Sequence, residues 1–259
     1  MVITSRQHPL CKLVRTLNNA RERRVRGLFV APGGNAVTAA LAARWPLERI
    51  VSSPEDAEAG WEDIARAADV PLVLAAPEIL EYLGDVPSAP DVLAIARMPK
   101  AQNGALPASG LTLILDGIGD PGNVGTLLRS ADAVGAAAVV TTENSADAFG
   151  LKAVRASAGS LFHLPPLALA DRAADAVAVR LQSENVPIII AGAHGGQSCF
   201  DYHWPERCAL VLGHETRGVS PEFEIAASAQ VNIPMFGRAE SLNVAAAGAV
   251  LLYSWRAKR

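Results

Sequence analysis

The sequence carries a strand-to-helix junction at residues 111–129, which reads Leu-Thr-Leu-Ile-Leu-Asp-Gly-Ile-Gly-Asp-Pro-Gly-Asn-Val-Gly-Thr-Leu-Leu-Arg. Leu111–Leu115 are an apolar run of strand length, and a glycine-rich turn leads from them into a helical pattern. Further apolar runs of this kind lie at 137–141, 187–190, 209–212 and 231–233. Helical patterns separate most of them, and this alternation predicts an α/β domain with a parallel sheet covered on both faces.

A segment without periodicity separates this region from the first hundred residues. Residues 99–110 are rich in proline, glycine and small polar residues, which is typical of a linker. Before them, short apolar runs predict strands at 27–30, 49–52, 71–74 and 92–96, and helical patterns cover 35–44 and 61–68. We therefore predict a small N-terminal α/β domain at 1–98, a linker at 99–110 and a C-terminal domain at 111–259.

The composition is that of a chain that folds in water. Hydrophobic residues make up 50% of the 259 residues, which is enough for a packed core. No apolar run reaches the length of a membrane span, and the first residues lack the apolar segment of a secretory signal. The three cysteines show no C-x-x-C spacing. We expect a reducing, cytoplasmic setting and no metal site.

Positive charge is concentrated at the N-terminus. Residues 1–30 carry seven arginine and lysine side chains against one glutamate, a net charge of +6, so the rest of the chain carries −9. A basic end on an acidic body suits a protein that contacts phosphates at that end. The candidate RNA-binding residues are Arg21, Arg23, Arg24 and Arg26. A solvated helix face is the alternative interpretation.

The glycine-rich turn also matches a dinucleotide-binding fingerprint. Three glycines at 117–122 satisfy G-x-G-x-x-G, and Glu143 lies where such folds place a ribose-binding acid. Pro121 lacks the backbone N–H that a phosphate turn usually offers, and Asn123 is expected to cap the following helix. A nicotinamide-dependent oxidoreductase is therefore an open interpretation, but it gives Arg129 no role.

Two further polar loops follow predicted strands. The loop at 213–218, Gly-His-Glu-Thr-Arg-Gly, carries a carboxylate and an arginine that either contact a ligand or pair with each other. In the loop at 233–244, Ser241 or Asn243 is expected to cap the last helix, which is rich in small residues. Parallel sheets bind ligands at the carboxyl ends of their strands, so the three polar loops predict one shared site.

The three loops resemble the signature of the SpoU (TrmH-type) branch of the SPOUT methyltransferases. The matching residues are Asn123-x-Gly125-x-x-x-Arg129, Leu212-Gly-His-Glu-Thr-Arg-Gly218, and Ile233-Pro-Met235 with Ser241-Leu-Asn-Val244. The resemblance covers residues 110–259. The N-terminal domain is similar to the substrate-binding domain of many such enzymes, although Ala31-Pro-Gly-Gly34 stands where they commonly show a Val-Glu-Gly-type sequence.

The resemblance implies an α/β domain with a deep trefoil knot that acts as a homodimer. It implies transfer of a methyl group from S-adenosylmethionine to a ribose 2′-hydroxyl of RNA, with ribosomal RNA favoured over transfer RNA because of the extra N-terminal domain. The implied cofactor-binding residues are Leu212, Gly213, Ile233, Met235, Leu242, Ala191, Gly192 and Ala193. The implied catalytic residues are Arg129, Asn123, Glu215, Asn243 and Ser241.

The resemblance also implies roles within the site. Arg129 would lie against the ribose and an adjacent phosphate, and family proposals make it the general base. Because a guanidinium stays protonated, we expect positioning and electrostatic stabilisation instead. Glu215 is expected to orient Arg129 or hold its loop, while His214 is either a proton-transfer group or incidental. A non-catalytic RNA-binding member of the family is a second alternative.

Overall fold

The computed structural model describes residues 2–85, 90–100 and 106–258 of the chain, so part of the predicted linker, 101–105, lies outside the described residues. The strands are β1 (Val2–Ile3), β2 (Leu28–Pro32), β3 (Leu47–Ser52), β4 (Leu72–Ala75), β5 (Val92–Arg97), β6 (Gly110–Leu115), β7 (Ala138–Thr141), β8 (Ile188–Ala191), β9 (Gln197–Ser198), β10 (Arg207–Leu212) and β11 (Ala229–Asn232). The helices are α1 (Pro9–Thr16), α2 (Ala20–Arg26), α3 (Gly34–Ala42), α4 (Pro54–Asp56), α5 (Glu62–Ala67), α6 (Pro77–Gly84), α7 (Pro121–Val134), α8 (Leu151–Ala156), α9 (Ser160–His163), α10 (Ala174–Ser183), α11 (Pro221–Ala226) and α12 (Val244–Ala257), with a π-helical turn at Ala57–Trp61 between α4 and α5.

The chain divides into two compact units. The first comprises Met1–Lys100 and Phe149–His163, and the second comprises Ala101–Ala148 and Leu164–Arg259. Helices α8 and α9 therefore belong with the first unit, whereas the sequence placed them in the domain at 111–259. Aromatic packing explains the difference, because the rings of Phe149 and Phe162 lie 5.1 and 6.0 Å from the ring of Phe29, centroid to centroid.

The first unit contains a mixed sheet with the strand order β1-β4-β3-β5-β2. The strands β1, β4 and β3 are parallel, while β5 runs antiparallel to both β3 and β2. Its core packs the apolar side of the sheet against α1 and α6, with Val14, Leu80 and Leu93 fully buried. The sequence predicted a small N-terminal α/β domain, and this fold class is confirmed.

The second unit contains a parallel sheet with the order β7-β6-β10-β8-β11-β9. The central strand β10 pairs with β6 from Arg207↔Gly110 to Leu212↔Leu115, so both strands end at the same level. Nearly every side chain of β6, β7 and β10 is buried, as expected for strands covered on both faces. The parallel sheet predicted from the apolar runs is confirmed.

The last helix, α12, packs against α7 within the second unit. A Cβ atom on Gly248 would lie 2.2 Å from the Leu127 side chain and 2.8 Å from that of Leu212, so a larger residue here would require these two leucine side chains to move. The trefoil knot stays a prediction of the family resemblance. Within the described parts of the chain, no helix has the length and apolar character needed to cross a membrane.

Candidate active site

The three polar loops of the sequence leave the sheet at the carboxyl ends of β6, β10 and β11. Because these strands are parallel members of one sheet, their carboxyl ends lie along the same edge. Ligands of open parallel sheets bind at this edge. The predicted convergence of the loops on one site is therefore present in the fold.

The first loop ends in the helix cap of α7, which is formed by Asp120 and not by Asn123. Asp120 accepts a hydrogen bond of 3.0 Å from the backbone N–H of Asn123, and Pro121 occupies the first helical position. The Asp-Pro pair is the sequence signal that would have located the cap. As a result the side-chain amide of Asn123, one turn into the helix, is available for other partners.

The second loop is a tight turn closed by two backbone hydrogen bonds between His214 and Gly218, at 2.8 and 2.9 Å. A Cβ atom on Gly213 would lie 2.3 Å from the backbone of Gly218 and Val219, so this position requires glycine. The His214 Nδ1 atom accepts a hydrogen bond of 3.1 Å from the Thr216 N–H. The imidazole thus helps to shape the turn.

The third loop ends at Asn243, which caps α12 as the sequence predicted. Its Oδ1 atom accepts hydrogen bonds from the N–H groups of Ala245 and Ala246, at 2.9 and 3.4 Å. The Nδ2 atom of the same amide remains free to donate. Capping leaves Asn243 able to contact a second loop.

Asn123 joins the three loops. Its Nδ2 atom donates a hydrogen bond of 2.9 Å to Oε1 of Glu215, and its Oδ1 atom accepts one of 3.2 Å from Nδ2 of Asn243. This pattern fixes the orientation of both amides, since a carboxylate only accepts and the Oδ1 of Asn243 is occupied by the cap. Three of the predicted catalytic residues are therefore in direct contact, although 120 positions separate Asn123 from Asn243.

A cavity of about 260 Å³ lies beside this network, and we call it the cofactor cavity. All eight predicted cofactor-binding residues line it: Ala191, Gly192, Ala193, Leu212, Gly213, Ile233, Met235 and Leu242. Glu215 and Ser241 also line it, together with Glu240, which sequence reasoning did not select. The predicted cofactor residues thus form one surface.

The chemistry of this surface fits S-adenosylmethionine better than a dinucleotide. The described residues that line the cavity include two carboxylates, Glu215 and Glu240, and neither lysine nor arginine. A sulfonium cofactor with a net positive charge is compatible with that lining, whereas a diphosphate would meet carboxylates without a compensating cation. Of the three fingerprint glycines, Gly122 lies inside α7 and does not border the cavity.

Arg129 stands apart from this network. It lies on an exposed face of α7, and within the described ranges it has no hydrogen bond or ion pair. Of the two roles expected for Glu215, to orient Arg129 or to hold its loop, the contact with Asn123 fits the second, and no contact between Glu215 and Arg129 is present among the described residues. Ser241 is exposed at the cavity and is not the cap of α12.

The four predicted RNA-binding arginines lie on α2 in the first unit, and they are not equivalent. Arg21 and Arg24 are exposed, and Arg26 pairs with Glu22 at 3.1 Å. Arg23 is buried with 4% of its surface exposed, and its guanidinium donates a hydrogen bond of 2.6 Å to the carbonyl of Leu17. We therefore correct its assignment, since a buried guanidinium holds the local fold and is not offered to RNA.

The loops of this site coincide with the match to a known family. The model of the SpoU rRNA methylase family matches residues 110–253, more than half of the chain and every loop described above. The chain belongs to the SpoU rRNA methylase family. This match confirms the resemblance that the three sequence motifs indicated.

Members of the SpoU family are similar to this chain over nearly its full length, the first unit included. The 23S rRNA (uridine(2479)-2′-O)-methyltransferase of Streptomyces viridochromogenes is 31% identical over 97% of this chain and 90% of its own length. The 23S rRNA (guanosine(2553)-2′-O)-methyltransferase RlmP of Bacillus subtilis is 28% identical over 98% of each chain. Both units of the present protein thus have counterparts in rRNA methyltransferases.

A solved SpoU structure shares the fold and binds the expected cofactor. The SpoU methyltransferase AviRb from Streptomyces viridochromogenes, in complex with the cofactor AdoMet, superposes with a TM-score of 0.88 at 27% identity. The superposition covers 97% of this chain and 98% of AviRb. The α/β class predicted for both domains is confirmed by this likeness.

Proposed function

We propose that this protein transfers the methyl group of S-adenosylmethionine to a ribose 2′-hydroxyl of 23S-type ribosomal RNA. The observation that carries the proposal is the contact of Asn123, Glu215 and Asn243 beside a cavity lined by all eight predicted cofactor residues. The full-length relatives that act on 23S rRNA support the choice of substrate.

The cofactor cavity would hold S-adenosylmethionine between the loops that follow β8, β10 and β11. When bound, the cofactor supplies an electrophilic methyl group on a sulfonium. Gly213 permits the tight turn that brings backbone groups to the cavity, and Ile233 and Leu242 supply apolar surface. The carboxylates Glu215 and Glu240 favour a positively charged occupant.

The network of Asn123, Glu215 and Asn243 acts by positioning. In-line methyl transfer requires the 2′-hydroxyl oxygen to lie on the axis of the bond being broken, so small displacements of the loops are costly. The two amides and the carboxylate hold the carboxyl ends of β6, β10 and β11 in one arrangement. Ser241, at the mouth of the cavity, offers a hydroxyl to the substrate.

Arg129 would contact the ribose and the neighbouring phosphate of the bound RNA. Its exposure and its lack of partners among the described residues leave all five N–H donors available. A guanidinium can hold a phosphate in a bidentate contact and stabilise negative charge that develops on the 2′-oxygen. Because it remains protonated, we assign it positioning and charge stabilisation.

The proposal includes a cytoplasmic homodimer in which the second units associate, as the family resemblance implies. RNA would be captured by the exposed arginines of α2, Arg21 and Arg24, before the target nucleotide enters the site. Sedimentation of the purified chain over a range of concentrations tests the dimer. A monomer at every concentration would contradict it.

The experiment that tests the function combines binding and transfer. Isothermal titration with S-adenosylmethionine and with NAD is followed by transfer of tritiated methyl groups to the total RNA, 23S rRNA included, of cells that lack the gene. We expect binding of S-adenosylmethionine alone and one 2′-O-methylated nucleotide. Binding of NAD alone would favour an oxidoreductase, and cofactor binding without transfer to any cellular RNA would favour a non-catalytic family member.

A further inference from the structure

A second cavity, of about 180 Å³, lies in the second unit at the carboxyl ends of β7, β6 and β10. In the sheet it lies on the opposite side of β10 from β8 and β11, whose loops line the cofactor cavity. Among the described residues, the two cavities share His214 and Gly218 in their linings. The turn at 214–218 is thus a common wall between them.

The wall of the second cavity is held in place by a buried carboxylate. Asp116 is 3% exposed, and its Oδ2 atom accepts hydrogen bonds of 2.6 Å from both the N–H and the hydroxyl of Ser220. Its Oδ1 atom accepts from the Thr142 hydroxyl at 3.2 Å, and that hydroxyl accepts from the Gly117 N–H at 3.1 Å. Satisfied buried groups on three loops make the cavity a preformed one.

Two exposed side chains that line the second cavity have no hydrogen-bond or ion-pair partner in the parts of the chain that the structure describes. They are Arg217 and Asn144. Pairing of Arg217 with Glu215, which the sequence left open, is absent from the described residues, and the Glu215 carboxylate accepts from Asn123. The cavity is preformed, and its guanidinium and its side-chain amide are both available for hydrogen bonds to a ligand. Such a cavity can recognise a polar, planar ligand.

A nucleobase is a polar, planar group, and the proposed reaction brings one close to this place. This step rests on the proposed function, because the two cavities share the turn at 214–218, and a ribose bound at the cofactor cavity would therefore bring its base near the second cavity. Enzymes that do chemistry on a base take it out of the stack into a pocket, and sequence-specific recognition of RNA also uses unstacked bases that a protein can bind at their edges. The second cavity borders the cofactor cavity and is open to such a base.

We propose that the second cavity receives the base of the nucleotide to be methylated, and that Arg217 selects guanine or uracil. Arginine carries five donors and no acceptor. It therefore pairs with the carbonyl group of guanine or uracil, and it leaves without a partner the amino group that adenine or cytosine carries at the equivalent edge. Asn144, which donates and accepts, completes the recognition of the base edge.

The test uses the full-length protein and an RNA hairpin that spans the methylated site mapped on 23S rRNA. The hairpin is made in four versions that differ only in the target base, and kcat/KM is measured for each. We expect the guanine or uracil version to exceed the adenine and cytosine versions at least tenfold. In Arg217→Ala this ratio falls at least fivefold, and Arg217→Lys retains part of it, since lysine keeps a charged donor but not the planar fork of a guanidinium.

Arg66→Gln serves as the matched control, because Arg66 is exposed in the first unit and its ion-pair partners in the described part of the chain are two neighbours on its own helix. The control should keep the wild-type ratio. Equal kcat/KM values for the four bases in the wild type would contradict the base pocket. An equal loss of kcat/KM on all four hairpins in Arg217→Ala would also contradict it, and would indicate that Arg217 contacts a phosphate. Absence of transfer to every RNA would instead overturn the proposed function, so the two failures are distinguishable.

Discussion

The side-chain amide of Asn123 donates a hydrogen bond of 2.9 Å to the carboxylate of Glu215, although 92 residues separate them along the chain. The contact is possible because Asp120 caps α7 and leaves the Asn123 amide free. Asn243 adds a second bond to the same amide. The first turn of α7 is therefore the point at which the loops after β6, β10 and β11 are held together.

Replacement of Asn123 by aspartate should damage the site in a pH-dependent way. In Asn123→Asp two carboxylates face each other, and the donor to Glu215 is lost unless one of them binds a proton. We expect the affinity for S-adenosylmethionine to drop about tenfold at pH 8 and to recover toward the wild-type value near pH 5. Titration calorimetry at several pH values measures this affinity. Asn123→Ala should be impaired without such recovery, and identical pH profiles for both variants would contradict the contact.

Arg129→Ala should abolish methyl transfer and leave cofactor binding nearly unchanged. Arg129 does not line the cofactor cavity and has no partner among the described residues, so its removal disturbs neither the cavity nor the network. We expect a loss of at least a hundredfold in kcat and a Kd for S-adenosylmethionine within a few-fold of the wild type. Arg129→Lys keeps the charge without the bidentate fork and should recover little activity. Near-normal turnover of the alanine variant would refute the role.

Gly213→Ala should open the turn at 214–218. The new Cβ would lie 2.3 Å from the backbone of Gly218 and Val219, and backbone atoms cannot yield as a flexible side chain would. We expect the thermal midpoint to fall by several degrees and cofactor binding to weaken at least tenfold. Gly119→Ala is the matched control, because a Cβ atom added there would meet no atom within 4 Å beyond its chain neighbours. A variant at 213 as stable as the one at 119 would contradict the tight turn.

Most of the fold could be predicted from the sequence because buried parallel strands read as continuous apolar runs. The predicted runs at 209–212 and 137–141 correspond to β10 and β7. The short strand β9 was missed, since two residues carry no periodicity. The assignment of α8 and α9 to the first unit also escaped prediction, because it depends on Phe149 and Phe162 packing on a ring more than a hundred residues earlier in the chain.

The residues of the candidate site could be predicted from the sequence, but their hydrogen bonds and burial could not. Family motifs pointed to Asn123, Glu215 and Asn243, and strand order then brought them together. The cap at Asp120 was missed because Asn123 is an equally good capping residue in isolation. The burial of Arg23 was likewise missed, because a run of arginines does not reveal which one faces inward.

The buried thiols of Cys11 and Cys199 should make stability fall at alkaline pH. Burial raises the pKa of each thiol above its ordinary value of 9.0. The folded state therefore favours the neutral thiol, and the contribution to stability is complete below pH 9 and declines as the unfolded thiols ionise above it. Urea denaturation between pH 8 and 10 should show the decline, and it should be smaller in Cys11→Ala/Cys199→Ala. If the free energy of unfolding fell with pH as steeply in the double variant as in the wild type, the role of the two thiols would be contradicted.

The arginines of α2 should fall into two groups, those whose loss weakens RNA binding and one whose loss lowers stability. Arg21→Gln/Arg24→Gln removes two exposed charges, so it should weaken RNA binding and reduce the slope of log K against log salt by about 1.4 to 1.8 units, with an unchanged thermal midpoint. Arg23→Gln deprives the Leu17 carbonyl of its buried donor and should cost about 1–3 kcal/mol of stability with the salt slope preserved. Filter binding of 23S rRNA at several salt concentrations, together with thermal denaturation, measures both effects. If Arg23→Gln lowered the salt slope as far as the double variant while its midpoint stayed constant, Arg23 would contact phosphate after all, and α2 would have to turn its buried face toward the RNA.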